Sequence, residues 1–157
     1  GYSWAECSGH FDGVGKYMVS IKDRFLADTQ WIYVEGNIIF SHAGISKTWF
    51  NNFAFEDINL LNNCEPSEKF AFTPNSFSDY YGNSITQPCV WIRPISLVQD
   101  ALDGYIQVVG HTPFKNITNT KSIRDDWPEI WLCDCLPKEY LVIENDEFIV
   151  NKYEESI

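Results

Sequence analysis

Apolar positions recur along the chain in two periods, and the period changes at turn signals. Val14, Met18, Ile21 and Phe25 recur at helical spacing, which predicts an amphipathic helix over Gly13 to Asp28. From Trp31 the pattern shortens. Trp31 to Glu35 and Ile38 to Ser41 read as two strands, and Glu35-Gly36-Asn37 reads as the turn of a hairpin. Ser46 is a good N-cap and predicts a helix through "SKTWFNNF", with a second short helix over Glu56 to Asn63. Cys64 to Pro88 is polar, aromatic and too long for a simple connection. "CVWIRP", Cys89 to Pro94, reads as a short strand ending in arginine, followed by a helix over Ile95 to Leu102. Tyr105 to Val109 and Ile130 to Cys133 read as strands. Glu139 to Tyr153 alternates around Asn145-Asp146 and predicts a terminal hairpin. The fold class is therefore mixed α/β, β-rich with flanking helices, in one domain over residues 1–157.

Composition narrows the function classes. The net charge is −11 and no cluster of Lys and Arg exists to neutralise phosphates, which argues against nucleic acid and against anionic membranes as partners. A small phosphorylated substrate stays open, because a bound metal inverts the local field. The five cysteines are odd in number and form no dense framework, so free thiols in a reducing, cytoplasmic setting are expected. Cys133 and Cys135 would share a face of a strand, but no partner pair with zinc spacing accompanies them. No signal peptide or transmembrane stretch is visible. The aromatic content, with six Trp, eight Tyr and eleven Phe, leaves open a stacking surface for carbohydrate built from Trp49, Tyr80 and Tyr81.

Two of the three histidines follow strands. In "NIIFSHAGIS", His42 comes after β-branched and aromatic residues and before Ala43-Gly44. In "YIQVVGHTPF", His111 follows Gly110. A side chain at the C-terminal end of a strand projects into the crevice where α/β proteins place ligands, and neutral imidazole ligates zinc, manganese and iron. Arg93 can grip a phosphate through two parallel hydrogen bonds. His10, in "CSGHF", reads as structural or exposed. Asp125 and Asp126 read as solvated loop residues, while Asp134, beside an apolar strand, is the candidate for completing a site.

"FSHAGIS", "VWIRP" and "VVGHTP", in that order, resemble the C-terminal half of the calcineurin-like metallophosphoesterases. The branch holds the serine/threonine phosphoprotein phosphatases and bacterial relatives that cleave diadenosine tetraphosphate. Trp31 to Asp134 carries the resemblance. It implies that His42 and His111 ligate the same metal of a two-metal centre and that Arg93 binds the phosphoryl group. Asp134, in "LCDCL", would match the aspartate of the family's Asp-Thr-Gly strand end as a partner of a ligand, although Cys135 stands where the threonine would be. The implied cofactors are divalent ions (Mn, Fe or Zn), and the implied fold is part of a two-sheet α/β sandwich.

The family's earlier motifs, D-x-H, G-D-x-x-D-R-G and G-N-H with Asp or Glu, are not in the sequence. The expectation is a chain that begins just downstream of them and carries ligands for one metal. Pro113, where many relatives have a second histidine, favours the protein-phosphatase-like branch. Such a portion is expected to be inactive alone, and to associate with the missing half or with itself through exposed sheet surface. The competing readings are a non-catalytic binding or regulatory module that kept the fold, and the carbohydrate-binding domain.

Overall fold

The computed structural model describes residues 14–65, 67–71, 81–135 and 138–153, with the side chains of 14–19 and 68 left aside. The chain divides into two compact units, Gly1–Trp31 and Ile32–Ile157. In the first, the predicted helix is α1, Val14–Asp28. Thr29 ends it by donating from its hydroxyl to the Phe25 carbonyl (2.7 Å), and Arg24 pairs with Asp28 one turn on (3.6 Å). Of the four apolar positions that predict this helix, Ile21 is half-buried and Phe25 exposed, while Val14 and Met18 lie outside the described side chains.

The second unit is mixed α/β. Its five-stranded sheet has the order β1-β2-β3-β5-β4, built from β1 (Ile32–Glu35), β2 (Ile38–Ser41), β3 (Ile106–Val109), β4 (Thr118–Asn119) and β5 (Ile130–Leu132). β1 and β2 form the predicted antiparallel hairpin. β2, β3 and β5 are parallel neighbours, and β4 closes the far edge antiparallel to β5. A separate two-stranded sheet, β6 (Glu139–Glu144) and β7 (Glu147–Lys152), is the predicted terminal hairpin. Asn145 and Asp146 both adopt positive φ at its turn, as a two-residue hairpin loop of this kind requires.

Between β2 and β3 the chain crosses one face of the sheet. Ser46 caps α2 (Lys47–Phe50), its hydroxyl accepting from the Trp49 N–H. The segment expected as a second helix is a 3-10 helix, Ile58–Asn63, capped by the Asp57 carboxylate. The expected strand over Cys89 to Pro94 is instead a buried turn. The N–H groups of Trp91 and Ile92 both donate to the Pro88 carbonyl, at 2.8 and 3.0 Å, which curls the backbone away from extended geometry. Pro94, with its preset φ and no N–H to lose, then opens α3 (Pro94–Asp100). The apolar run is real, but it buries a turn and not a strand.

The core forms where this crossover meets the sheet. Ile39, Gln107, Val109, Ile130 and Leu132 present one face and are at most 2% exposed. Ala43, Ile92, Leu97 and Ala101 pack with Val109, Ile130 and Leu132 in one cluster. Burying a leucine such as Leu97 contributes about 1.5–3 kcal/mol. The opposite face carries the row Phe40, Val108 and Trp131, and Phe148 of β7 stacks on Trp131 with centroids 5.0 Å apart. Among the described residues, no helix is long and apolar enough to cross a membrane.

Candidate functional site

Parallel pairing decides which residues meet. Because β2, β3 and β5 run the same way, their C-terminal ends share one end of the sheet. His42 leaves β2 directly. His111 follows β3 after Gly110, and Asp134 follows β5 after Cys133. The ladder continues one step past the strands: Gly110 N–H donates to the His42 carbonyl at 3.0 Å, and Cys133 N–H to the Val109 carbonyl at 2.7 Å.

His111 then takes φ of +64°, inside a three-residue turn closed by Thr112 N–H donating to the Gly110 carbonyl (2.7 Å). Positive φ in a residue other than glycine costs about 1–3 kcal/mol and persists only where the surroundings impose it. Its consequence is that the ring faces the neighbouring strand end. His42 Nε2 and His111 Nδ1 lie 3.0 Å apart, with Trp91 flanking His111 at 5.4 Å between centroids.

The loop after His42 is held at each residue. Ala43 N–H donates to the Cys89 carbonyl (2.8 Å). Gly44 has φ of +115°, and a Cβ there would lie 2.2 Å from Leu97 Cδ2, so only glycine fits. Ile45 N–H donates to Gln107 Oε1 (2.7 Å), and Gln107 Nε2 donates back to the Ile45 carbonyl (2.9 Å).

Arg93 reaches this end of the sheet from the residue before α3, not from a strand end as expected. Its Nε donates to the Tyr81 carbonyl (3.0 Å) and its Nη1 to Thr112 Oγ1 (3.1 Å). The guanidinium is therefore tied to the residue next to His111. Gly82, whose carbonyl accepts from the Arg93 N–H (3.1 Å), packs against Trp91: its φ is +77°, and a Cβ would lie 2.8 Å from the Trp91 carbonyl oxygen.

Burial pushes the His111 imidazole down to about 4; the Arg93 guanidinium and His42 add to the fall, and Asp134 opposes it. Burial also lowers His42, again against Asp134. Both rings are thus neutral at pH 7, the state that ligates metal. At 3.0 Å the two nitrogens share a hydrogen bond, and as neutral imidazoles they are the two groups here that would hold a divalent ion.

Asp134 acts on both imidazoles through its charge, but it does not join them as a third ligand. Among the described residues, no group of three His, Cys, Asp or Glu is assembled. Cys133 and Cys135 lie past the end of β5, so the shared strand face expected for them does not form. Cys133 is half-buried, with burial raising its thiol to about 11, and Cys135 is buried; both are free. Asp125 and Asp126 are exposed, Asp126 paired with Arg124. His10 and Tyr80 lie outside the described residues. Trp49 cannot serve a stacking surface: it is 2% exposed, with its indole N–H on the Lys69 carbonyl.

Three residues of this site escape sequence reasoning. Thr112 and Trp91 stand inside the quoted motifs, but their contacts with Arg93 and His111 leave no mark in the sequence. Gln107 does carry one, a lone amide inside the apolar run "YIQVV". Comparison with protein-family models, curated proteins and solved structures finds no match.

Proposed function

We propose that this chain contributes to a metal-dependent phosphoester hydrolase of the metallophosphoesterase kind. It supplies His42 and His111 as ligands of one metal and Arg93 as the phosphate-binding group. The observation that carries the reading is the convergence of His42 Nε2 and His111 Nδ1 to 3.0 Å, with Arg93 tied to the adjacent Thr112 (3.1 Å). The five-stranded sheet is read as one layer of a two-sheet sandwich. Carboxylate ligands for a two-metal centre come from outside the described residues, from another segment or a second copy. The free thiols suit a reducing, cytoplasmic compartment.

A bound Mn, Fe or Zn ion supplies Lewis acidity and a nucleophilic water at neutral pH. The chain's own residues do the rest. His42 and His111 offer neutral imidazoles at pH 7. Asp134 tempers that by its charge on both rings. Arg93, held by Thr112 and the Tyr81 carbonyl, orients a phosphoryl group and offsets the charge that its equatorial oxygens gain in the transition state.

Manganese titration followed by NMR tests the reading. The His42 and His111 ring signals are expected to broaden first, and inorganic phosphate added to the manganese-loaded chain is expected to shift the Arg93 Nε signal. Broadening confined to surface carboxylates would sink the proposal. It would favour the second reading, a binding or regulatory module without catalysis, which draws on the lack of a third ligand among the described residues.

A further inference from the structure

We infer that Gln107 is a positioning residue for the histidine pair: its buried carboxamide holds the Ala43–Ile45 loop against β3 and so sets the approach of His42 to His111. Its value as support for a metal ligand rests on the proposed function; the geometry it sets does not.

Gln107 lies on β3, four residues before His111, and is 0% exposed. Its register partners on the flanking strands are Ile39 and Ile130. An apolar side chain would therefore fit the row, and an amide buried there is costly unless its donor and acceptor are both used. Both are used on one residue. Oε1 accepts from Ile45 N–H at 2.7 Å, and Nε2 donates to the Ile45 carbonyl at 2.9 Å.

The placement explains the need. The backbone ladder between the first histidine's strand and β3 ends where Gly110 N–H meets the His42 carbonyl (3.0 Å). Beyond that point the chain leaves the sheet, and ladder bonds cannot hold it. Gln107 reaches out of β3 and replaces them with a side-chain pair of bonds. His111 is tied to β3 by the chain itself; His42 is tied to it on one side by the last ladder bond, from Gly110 N–H, and on the other, three residues on, by the Gln107 clamp on Ile45. One strand thus sets both imidazoles.

The test is 15N NMR of the imidazoles in the full chain. Gln107→Met keeps the volume and removes the clamp. The shifts of His42 Nε2 and His111 Nδ1, which report their shared hydrogen bond, are expected to move to those of separate rings. Manganese affinity is expected to fall about 10- to 100-fold, as when outer partners of ligating histidines are removed. Ser46→Ala serves as the control. It removes a buried hydroxyl from the same loop, one that caps α2 and donates to the Ile85 carbonyl, and it should lower stability while leaving the imidazole shifts in place. Should Gln107→Met not fold, Gln107→Asn gives the same reading, being one methylene too short to reach both Ile45 atoms. Unchanged shifts in a folded Gln107 variant, or equal changes in Ser46→Ala, would overturn the inference. A wild-type chain that binds no manganese at the pair would sink the metal reading instead, and the 15N shifts would still decide the role of Gln107.

Discussion

His42 Nε2 lies 3.0 Å from His111 Nδ1, although 69 positions of sequence separate them. Parallel pairing of β2 with β3 places Ser41 opposite Val109, and each strand releases its histidine within two residues of that pair. Without the turn at His111, with φ of +64°, the second ring would not face the first. The contact thus depends on register and on one strained residue together.

Acid should weaken the fold through this pair. The folded His111 imidazole is held down to about 4 against an ordinary 6.5, and His42 is lowered too. Below about pH 6.5 the unfolded chain takes up protons that the folded chain refuses, so stability falls as pH drops through that window and levels off below the folded value. Urea midpoints between about pH 7.5 and 4 should fall further in the wild type than in His111→Asn. Equal losses would place the proton uptake elsewhere.

The strain at His111 predicts which substitutions fold. Asn tolerates positive φ and Val does not. His111→Asn should lose the imidazole and keep the turn, whereas His111→Val should cost about 1–3 kcal/mol more. Chemical denaturation of the two variants checks this, and a Val variant as stable as the Asn variant would show that the turn is not imposed.

Arg93 should not be replaceable by lysine. A single ammonium cannot serve the Tyr81 carbonyl and Thr112 Oγ1 from one fork and still face a phosphate. Arg93→Lys should weaken inorganic phosphate binding to the manganese-loaded chain about tenfold, and Thr112→Val, which removes one anchor worth about 1 kcal/mol, about fivefold. Titration calorimetry reads both values. A lysine variant with wild-type affinity would remove Arg93 from the site.

Gly44→Ala should be among the most damaging changes in the loop. The added Cβ would stand 2.2 Å from Leu97 Cδ2 at a φ of +115°, and overpacking alone costs about 1–3 kcal/mol. Leu97→Ala leaves a cavity costing about 2–5 kcal/mol. The double variant should be less destabilised than the sum, by about 0.5 kcal/mol or more, because the two changes share one space. Strict additivity in urea unfolding would contradict the packing described.

Much of this was legible in the chain. The helix over residues 14–28, the hairpin turning at Gly36, the Ser46 cap, the β3 segment and the terminal hairpin follow from local periodicity and turn chemistry, which act over a few residues. His42, His111 and Arg93 were also legible as candidates, and all three reach one end of the sheet. The segment from Cys89 to Pro94 misled, because an apolar run of that length buries equally well as strand or turn, and the carbonyl of Pro88 chose the turn. The 3-10 geometry of Ile58–Asn63 was equally beyond local signals.

By itself, then, the amino-acid order determined the long helix, the two hairpins, the β3 segment and the residue types at their ends, since periodicity, capping and turn preference are short-range. Tertiary structure alone decided that β2 and β3 lie side by side in parallel, that Arg93 reaches the pair through Thr112, and that Gln107 clamps the loop after His42. Those contacts join residues whose separation in sequence, 62 positions for Ile45 and Gln107, leaves no local trace. Only burial of the shared core, which brings the crossover down on the sheet, makes them form.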